Sequence, residues 1–354
     1  MEKLKLNETP VRTSRNFNIN NIKLENISIP KKIEEFENVE IIKEQEDIKV
    51  NNQIKSIKLT YGLSDELTDL VNEMSNCKLN FEVNGKCKKL NKINFNFDDK
   101  NNNLLENIKV IAEKNSISSF VLKYESKEDE TFFHNGILTV EAKENSEVNI
   151  IIVNLLNLKS NNFLAIENNI EKNAKVNYII IDFGGKNSIT NYYSNLIGEK
   201  ADNSLNTIYL GKENQVFDLN YIGELRGKKS NINIEVQGAL KDEARKHFKG
   251  TIDFKKGAKK ASGNENENCM LLSDKAKSLA LPMLLCSEED VEGNHSSSAG
   301  KVGEKELFYI MSRGFTLKEA MKLIVRAKFN KILEKIEEEE LKNQILNEID
   351  IRLD

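Results

Sequence analysis

From about Lys78 to Met283 the chain alternates apolar and polar residues with a period of two. The runs are short, and Asn, Gly, Lys and Ser separate them. Lys92–Phe97, Ser119–Tyr124, Gly136–Glu141, Val148–Val153 and Val176–Ile181 are of this kind, as are Ser204–Leu210, Val216–Ile222 and Ile232–Gln237. Each is strand-length and rich in β-branched or aromatic residues, and the helical period is missing throughout. Before this region, Ser64 to Ser75 predicts a short helix. Ser64 can cap it, and Leu67, Leu70, Val71 and Met74 recur at helical spacing. Residues 1–60 predict a loosely packed start.

At Gly303 the period changes again. Glu304 to Ser312 predicts a short helix stopped by Gly314, a residue suited to the left-handed conformation that ends helices. Thr316 and Glu319 form a capping box for a second helix, with Ala320, Leu323, Ile324 and Ala327 on its apolar face. A third helix carries Leu341, Ile345, Ile349 and Leu353 four residues apart. Three such helices bury little alone, so they must pack on the β region, on a partner, or on both. The organisation is an N-terminal segment with a short helix (1–77), a β core (78–302) and a C-terminal helical domain (303–354). The core is open to three architectures: sandwich, barrel or β-helix. Asn-rich turns with little Pro favour stacked coils, because an inward Asn can bond its equivalent in the next coil.

Composition narrows the function. The 52 basic and 56 acidic residues leave a net charge of −4, which argues against nucleic acid as a partner. The run from Lys241 to Lys260 is locally basic and reads as a solvated face, or as a surface for an acidic partner. Four cysteines without pairing rhythm suggest a reduced, cytoplasmic protein. Neither an apolar leader at Met1–Glu8 nor a run long enough to span a bilayer is visible.

One segment stands out chemically. Cys286 and His295 lie in small polar sequence at the seam between the β and helical regimes. A thiol with an imidazole suits iron or zinc better than a hard cation. Glu288, Glu289 and Asp290 disfavour a thiolate nucleophile but not metal ligation, since a metal deprotonates its own thiol. Two ligands do not complete a site; the rest must come from elsewhere in the chain, a second subunit or a bound cluster. Cys77, Cys87 and Cys269 read as structural, and His134 and His247, each beside a Phe, as packing or surface residues. The chain lacks a GxxxxGK[ST] phosphate loop, a GxSxG elbow and an HExxH helix, so independent ATPase or hydrolase activity is poorly supported.

Several blocks between Gly238 and about Ile336 resemble the C-terminal part of the SufB/SufD family of iron–sulfur cluster assembly scaffolds. They are Gly238–Gly250, Leu271–Ala276, Pro282–Leu285 with Asp290-Val291 and His295, and Leu307-Phe-Tyr-Ile-Met-Ser-Arg-Gly314, the most specific. Upstream the resemblance is limited to Asn135-Gly136 and Glu8–Thr13. It implies a right-handed parallel β-helix core with a C-terminal α-helical domain, and a non-enzymatic scaffold. A SufC-like ABC ATPase would dock on those helices through Leu307, Phe308, Tyr309, Arg313 and Gly314.

The resemblance also implies a SufB-like partner, or a homodimer, and transient contact with a cysteine desulfurase or sulfur carrier. A nascent iron–sulfur cluster would be held transiently at Cys286 and His295; reduced flavin is a further implied cofactor, though no residue singles out its site. SufB-type members carry the key Cys and SufD-type members the key His, and this chain has both. Ser296 departs from both types, because SufB-type members have an acidic residue after the His and SufD-type members a Gly. The modest length and the missing N-terminal cysteine cluster favour the SufD type. A carbohydrate-active β-helix enzyme is the alternative from another class; it needs clustered carboxylates and neither a Cys–His pair nor a helical tail.

Overall fold

The structure, a computed structural model, describes residues 3–11, 19–44, 46–127 and 129–354. Arg12 and Thr13 lie outside them. Strands β1 (Lys3–Leu6) and β2 (Ile22–Glu25) pair antiparallel; β3 (Val39–Ile42), β4 (Ile48–Asn51) and α1 (Asp65–Met74) follow. Then come β5 (Cys77–Val83), β6 (Lys86–Phe97), β7 (Asn103–Ala112), β8 (Ile117–Ser126), β9 (Phe133–Ala142), β10 (Glu147–Leu155), β11 (Asn161–Ile170) and β12 (Lys175–Asp182). The series continues with β13 (Asn187–Leu196), β14 (Asp202–Gly211), β15 (Val216–Leu225), β16 (Asn231–Leu240), β17 (Arg245–Phe254), β18 (Ala261–Leu271), β19 (Lys277–Cys286) and β20 (Val291–Lys301). Helices α2 (Glu304–Met311), α3 (Leu317–Leu333) and α4 (Glu339–Leu353) close the chain.

From β5 onward, odd strands stack parallel in one sheet and even strands in the other, giving a parallel β-solenoid of about 8 turns. Of the three architectures the strand pattern allowed, this is the β-helix. The coil is set by a turn that recurs along one edge. Asn115, Asn145, Asn173, Lys200, Lys229 and Lys260 all have positive φ. Each is the third residue of a four-residue turn closed by a backbone hydrogen bond, as in Ser116 N–H to Glu113 C=O. A left-handed third position favours Asn or Gly. Each left-handed residue also donates its N–H to the turn of the next coil, as Asn145 does to Lys172 C=O. The turn Asn residues do form a ladder, Asn173 to Asn145 to Asn115, but its hydrogen bonds are exposed rather than inward. Asn149–Asn177, Asn161–Asn187 and Asn169–Asn195 bond coil to coil on the outer face, all half-buried except the buried Asn187. Inward amides bond unlike partners instead, such as Asn168 to Ser194.

The lumen is filled by Phe, Tyr, Ile, Leu and Val from both sheets. It also holds a polar chain. Tyr124 O–H donates to Glu106, His134 Nε2 lies 3.2 Å from the same carboxylate, and His134 Nδ1 lies 2.6 Å from Asn162. Asn162 donates to Ser188, which bonds Asp182. His134 is therefore a packing residue, as its neighbourhood implied, but one paired with a buried carboxylate.

The described part of residues 1–60 is not a loose start. Leu4, Leu6, Ile22 and Leu24 are buried with Leu67 and Val71 of α1 against Phe133, Ile137 and Phe163 of the odd sheet. Asn7, fully buried, donates to Asp218 Oδ1 at 2.6 Å, and Lys249 Nζ reaches the same oxygen at 2.6 Å and Asn7 C=O at 2.9 Å. The sequence hid this because Lys249 belongs to the basic run expected to face solvent; Lys246 of that run is also fully buried. The start of the solenoid is closed by β3 and β4, which pair antiparallel with β6 and β5, and by Phe36, which packs edge-on against Phe95 and Phe97.

The C-terminal helices pack on the outer face of the even sheet, where Ile324, Val325, Phe329, Ile345 and Ile349 cover Ile151, Val153, Ile181 and Ile208. The capping box forms as expected, with Thr316 N–H donating to Glu319 and Glu319 N–H to Thr316. The buried face of α3 is rotated from the expected one. Ala320 and Ile324 are buried, but Leu323 and Ala327 are exposed, and Val325, Phe329, Ile332 and Leu333 take their place.

Two outcomes follow. Replacing Lys249 by Ala strands the buried Asp218 carboxylate and lowers unfolding free energy by about 3–5 kcal/mol in denaturant titrations. Burial pushes the Asp182 carboxyl up from 3.8 to about 6, against hydrogen bonds from Ser188 and Asn154 and the charge of Arg352. A carboxyl raised in the folded state stabilises it fully below its ordinary value, and that contribution is lost as pH rises through about 6. Chemical denaturation of Asp182→Asn lacks this portion of the pH dependence.

Candidate functional site

Strand β20 pairs in register with β18, so each residue stands one coil above its partner: Gly263 below Gly293, Glu265 below His295, Glu267 below Ser297. Ser297 Oγ donates to Glu267 Oε2 at 2.7 Å, while the alternate residues Asn294 and Ser296 bond Asn264 and Asn266 on the outer face. A Cβ added to Gly293 would lie 3.0 Å from Leu284 and from the core residue Phe254. His295, between two inward positions, therefore faces the lumen. The same reasoning places Cys286. It pairs with Phe254, whose ring is in the core, so the thiol lies on the inward side of β19.

Among the described residues no further coil covers these two. Cys286 and His295 are exposed, as is nearly all of β20, so both face the mouth of an unsealed solenoid. A groove of about 580 Å³ there is lined by Cys286 with Phe254, Leu284, Glu288, Val291 and Gly293. His295 is not part of its lining. Leu284 and Gly293 line the groove on the Cys286 side. Cys286 Sγ instead lies 2.9 Å from Glu288 C=O, to which it donates. Among the described residues no group of three or more His, Cys, Asp or Glu side chains gathers as a metal centre. The structure thus brings the thiol and imidazole to one face without making them a finished site.

Beneath the mouth lies a cluster that the sequence reading missed. Glu267 and Lys246 form a fully buried ion pair at 2.7 Å. Tyr209 O–H donates to the same oxygen, and Lys246 lies 5.7 Å from the Phe248 ring centroid. Glu265, one inward position away, is pushed up to about 8 by burial and by the Glu267 charge. In sequence these carboxylates alternate with Asn in Asn264-Glu-Asn-Glu-Asn268 and resemble a solvated edge. The available signal was the period of two ending at Cys269, which places Glu265 and Glu267 on the Cys face. Cys269 is buried, consistent with its structural reading.

The helical tail carries the second group of candidate residues. Leu307 packs against the helix–sheet core, whereas Phe308 and Tyr309 are 75% and 60% exposed. Arg313 stacks over the Tyr309 ring at 5.3 Å and donates to its hydroxyl at 3.3 Å. Gly314, at φ 96°, turns the chain into α3. Met311, Phe315, Leu317 and Leu323 are also exposed. Among the described residues no helix is long and apolar enough to cross a membrane.

A parallel β-solenoid closed at one end, open at a Cys- and His-bearing mouth, and flanked by a helical tail defines the structural class. Residues 95–328 match the family model for the SUF system FeS cluster assembly SufBD core domain, and the chain belongs to that family. It is SufD-like: it is 28% identical to the iron–sulfur cluster assembly protein SufD of Bacillus subtilis over 51% of this chain and 41% of that one. It is 25% identical to Escherichia coli SufD over 68% of this chain and 56% of that one. A SufBD family protein of Pyrococcus horikoshii is 32% identical over 44% of this chain and 34% of its own length. The matched regions thus span about half or less of these relatives.

Thiol labelling reads the geometry directly. A maleimide reacts first with Cys286, Cys286→Ser removes that fast phase, and Cys269 reacts only on unfolding.

Proposed function

We propose that this chain is a non-enzymatic scaffold subunit in iron–sulfur cluster assembly. Its mouth joins a SufB-like subunit or a second copy, and its helical tail docks a SufC-like ABC ATPase. The observation that carries this reading is the unsealed coil. A solenoid end with inward residues exposed is a face that another chain covers, because terminal coils otherwise need polar caps. Cys286 and His295 stand on that face but do not complete a metal centre, which suits a site shared with a partner's ligands. The cluster is cargo, built from iron and sulfide delivered by a cysteine desulfurase or sulfur carrier, and passed on. A cytoplasmic setting fits free thiols.

The ATPase surface is read from Phe308, Tyr309, Met311, Phe315 and Leu317, exposed around the α2–α3 corner. A patch rich in aromatic residues with a stacked Arg has the composition of a protein-binding hot spot. Closure of two ATPase subunits would strain the scaffold and open the mouth to iron and sulfide.

Anaerobic iron–sulfide reconstitution of the co-expressed complex tests the site: Cys286→Ala and His295→Ala each lower cluster yield, and unchanged yield in both makes the residues inert. Affinity capture tests the docking surface. Phe308→Ala with Tyr309→Ala weakens ATPase retention by at least ~10-fold, while a complex that survives loss of residues 304–354 rejects it.

A further inference from the structure

Glu265 is the one carboxylate of the mouth cluster whose charge nothing answers. Lys246, Tyr209 and Ser297 all serve Glu267. Glu265 is 2% exposed, and among the described residues neither of its carboxylate oxygens has a hydrogen-bond partner. Burying a carboxyl without partners costs several kcal/mol in general, so native structures rarely keep one idle. The space it occupies is also built. Gly250, opposite on β17, is fully lumen-facing between Phe248 and Ile252, and a Cβ there would lie 2.0 Å from Glu265 Oε2. The missing side chain at Gly250 is what lets the carboxylate lie across the lumen.

Directly above, in register, stands His295. Neighbouring strands are about 4.8 Å apart, so an imidazole and a carboxylate on equivalent inward positions reach a common ion. We infer that Glu265 and His295 bind one divalent transition cation of the ferrous type at the mouth, Glu265 from below and His295 from the rim. Carboxylate and imidazole together suit iron, and the coordination positions toward the opening stay free for a partner's ligand, sulfide or water. Cys286 is not needed for this step: it lines a groove that His295 does not, and its thiol bonds Glu288 C=O. The inference rests on the proposed reading that His295 faces the cargo, and deepens it: iron is seated in this chain before any sulfide arrives.

The test is an anaerobic titration of the isolated full-length chain with Co(II), followed by its visible d–d absorption, and with Fe(II) by calorimetry. One site per chain is expected. Glu265→Gln, which keeps shape and removes charge, and His295→Ala each weaken it by at least ~10-fold. Gly250→Ala weakens it likewise by displacing the carboxylate, with circular dichroism confirming the coil. Cys286→Ala leaves it unchanged. Loss in His295→Ala with wild-type binding in Glu265→Gln overturns the inference and leaves the reading of His295 intact. Wild-type binding in both variants, or no binding at all, overturns it outright, and cluster reconstitution then decides separately whether His295 serves the cargo.

Discussion

The in-register parallel ladder governs this molecule. Each coil donates and accepts backbone hydrogen bonds with the coils on either side, so each inward residue stands on its equivalent below. That constraint makes the lumen a stack of layers, fixes which side chains meet across it, and leaves the last layer with nothing above. The exposure of Cys286 and His295 is a direct result: equivalent positions one coil earlier, Phe254 and Glu265, are buried.

Layering also explains how charges survive inside. A lone lysine in an apolar lumen would lose its proton or unfold the coil. Lys246 persists because its carboxylate partner occupies the facing strand of the same layer, with aromatic rings of Tyr209 and Phe248 nearby. Lys249, three residues on, points the opposite way and is held by Asp218 and the Asn7 carbonyl beneath the N-terminal segment. One short basic run thus ties two different surfaces of β17 into place.

Strand positions were legible because a period of two survives in any half-buried strand. The class of stacking was less so. The repeating signal lies in the turns, where Glu113-Lys-Asn-Ser, Lys143-Glu-Asn-Ser and Glu171-Lys-Asn-Ala recur at nearly one coil's length, and irregular strand spacing obscured it. Strand β13 was harder still: its Asn-Ser-Ile-Thr-Asn-Tyr-Tyr-Ser-Asn-Leu is half polar, yet nearly all of it is buried. It is covered outside by the N-terminal segment, and its polar side chains find partners elsewhere, Asn191 on Asn7, Ser188 on Asp182 and Tyr193 on Glu224. Cys286 and His295 were found by chemical type and family resemblance. Glu265 escaped because its burial depends on Gly250, which lies in another strand, and sequence order does not show that opposition.

The closed start of the solenoid has a consequence for assembly. With Phe36 and the antiparallel β3 and β4 sealing one end, among the described residues only the other end presents an unfilled layer. A rod with two open ends polymerises by head-to-tail addition; a rod with one can be joined only once at its tip. The plug at Phe36, far from the thiol and the imidazole, is thus a chain terminator that makes end-on growth finite.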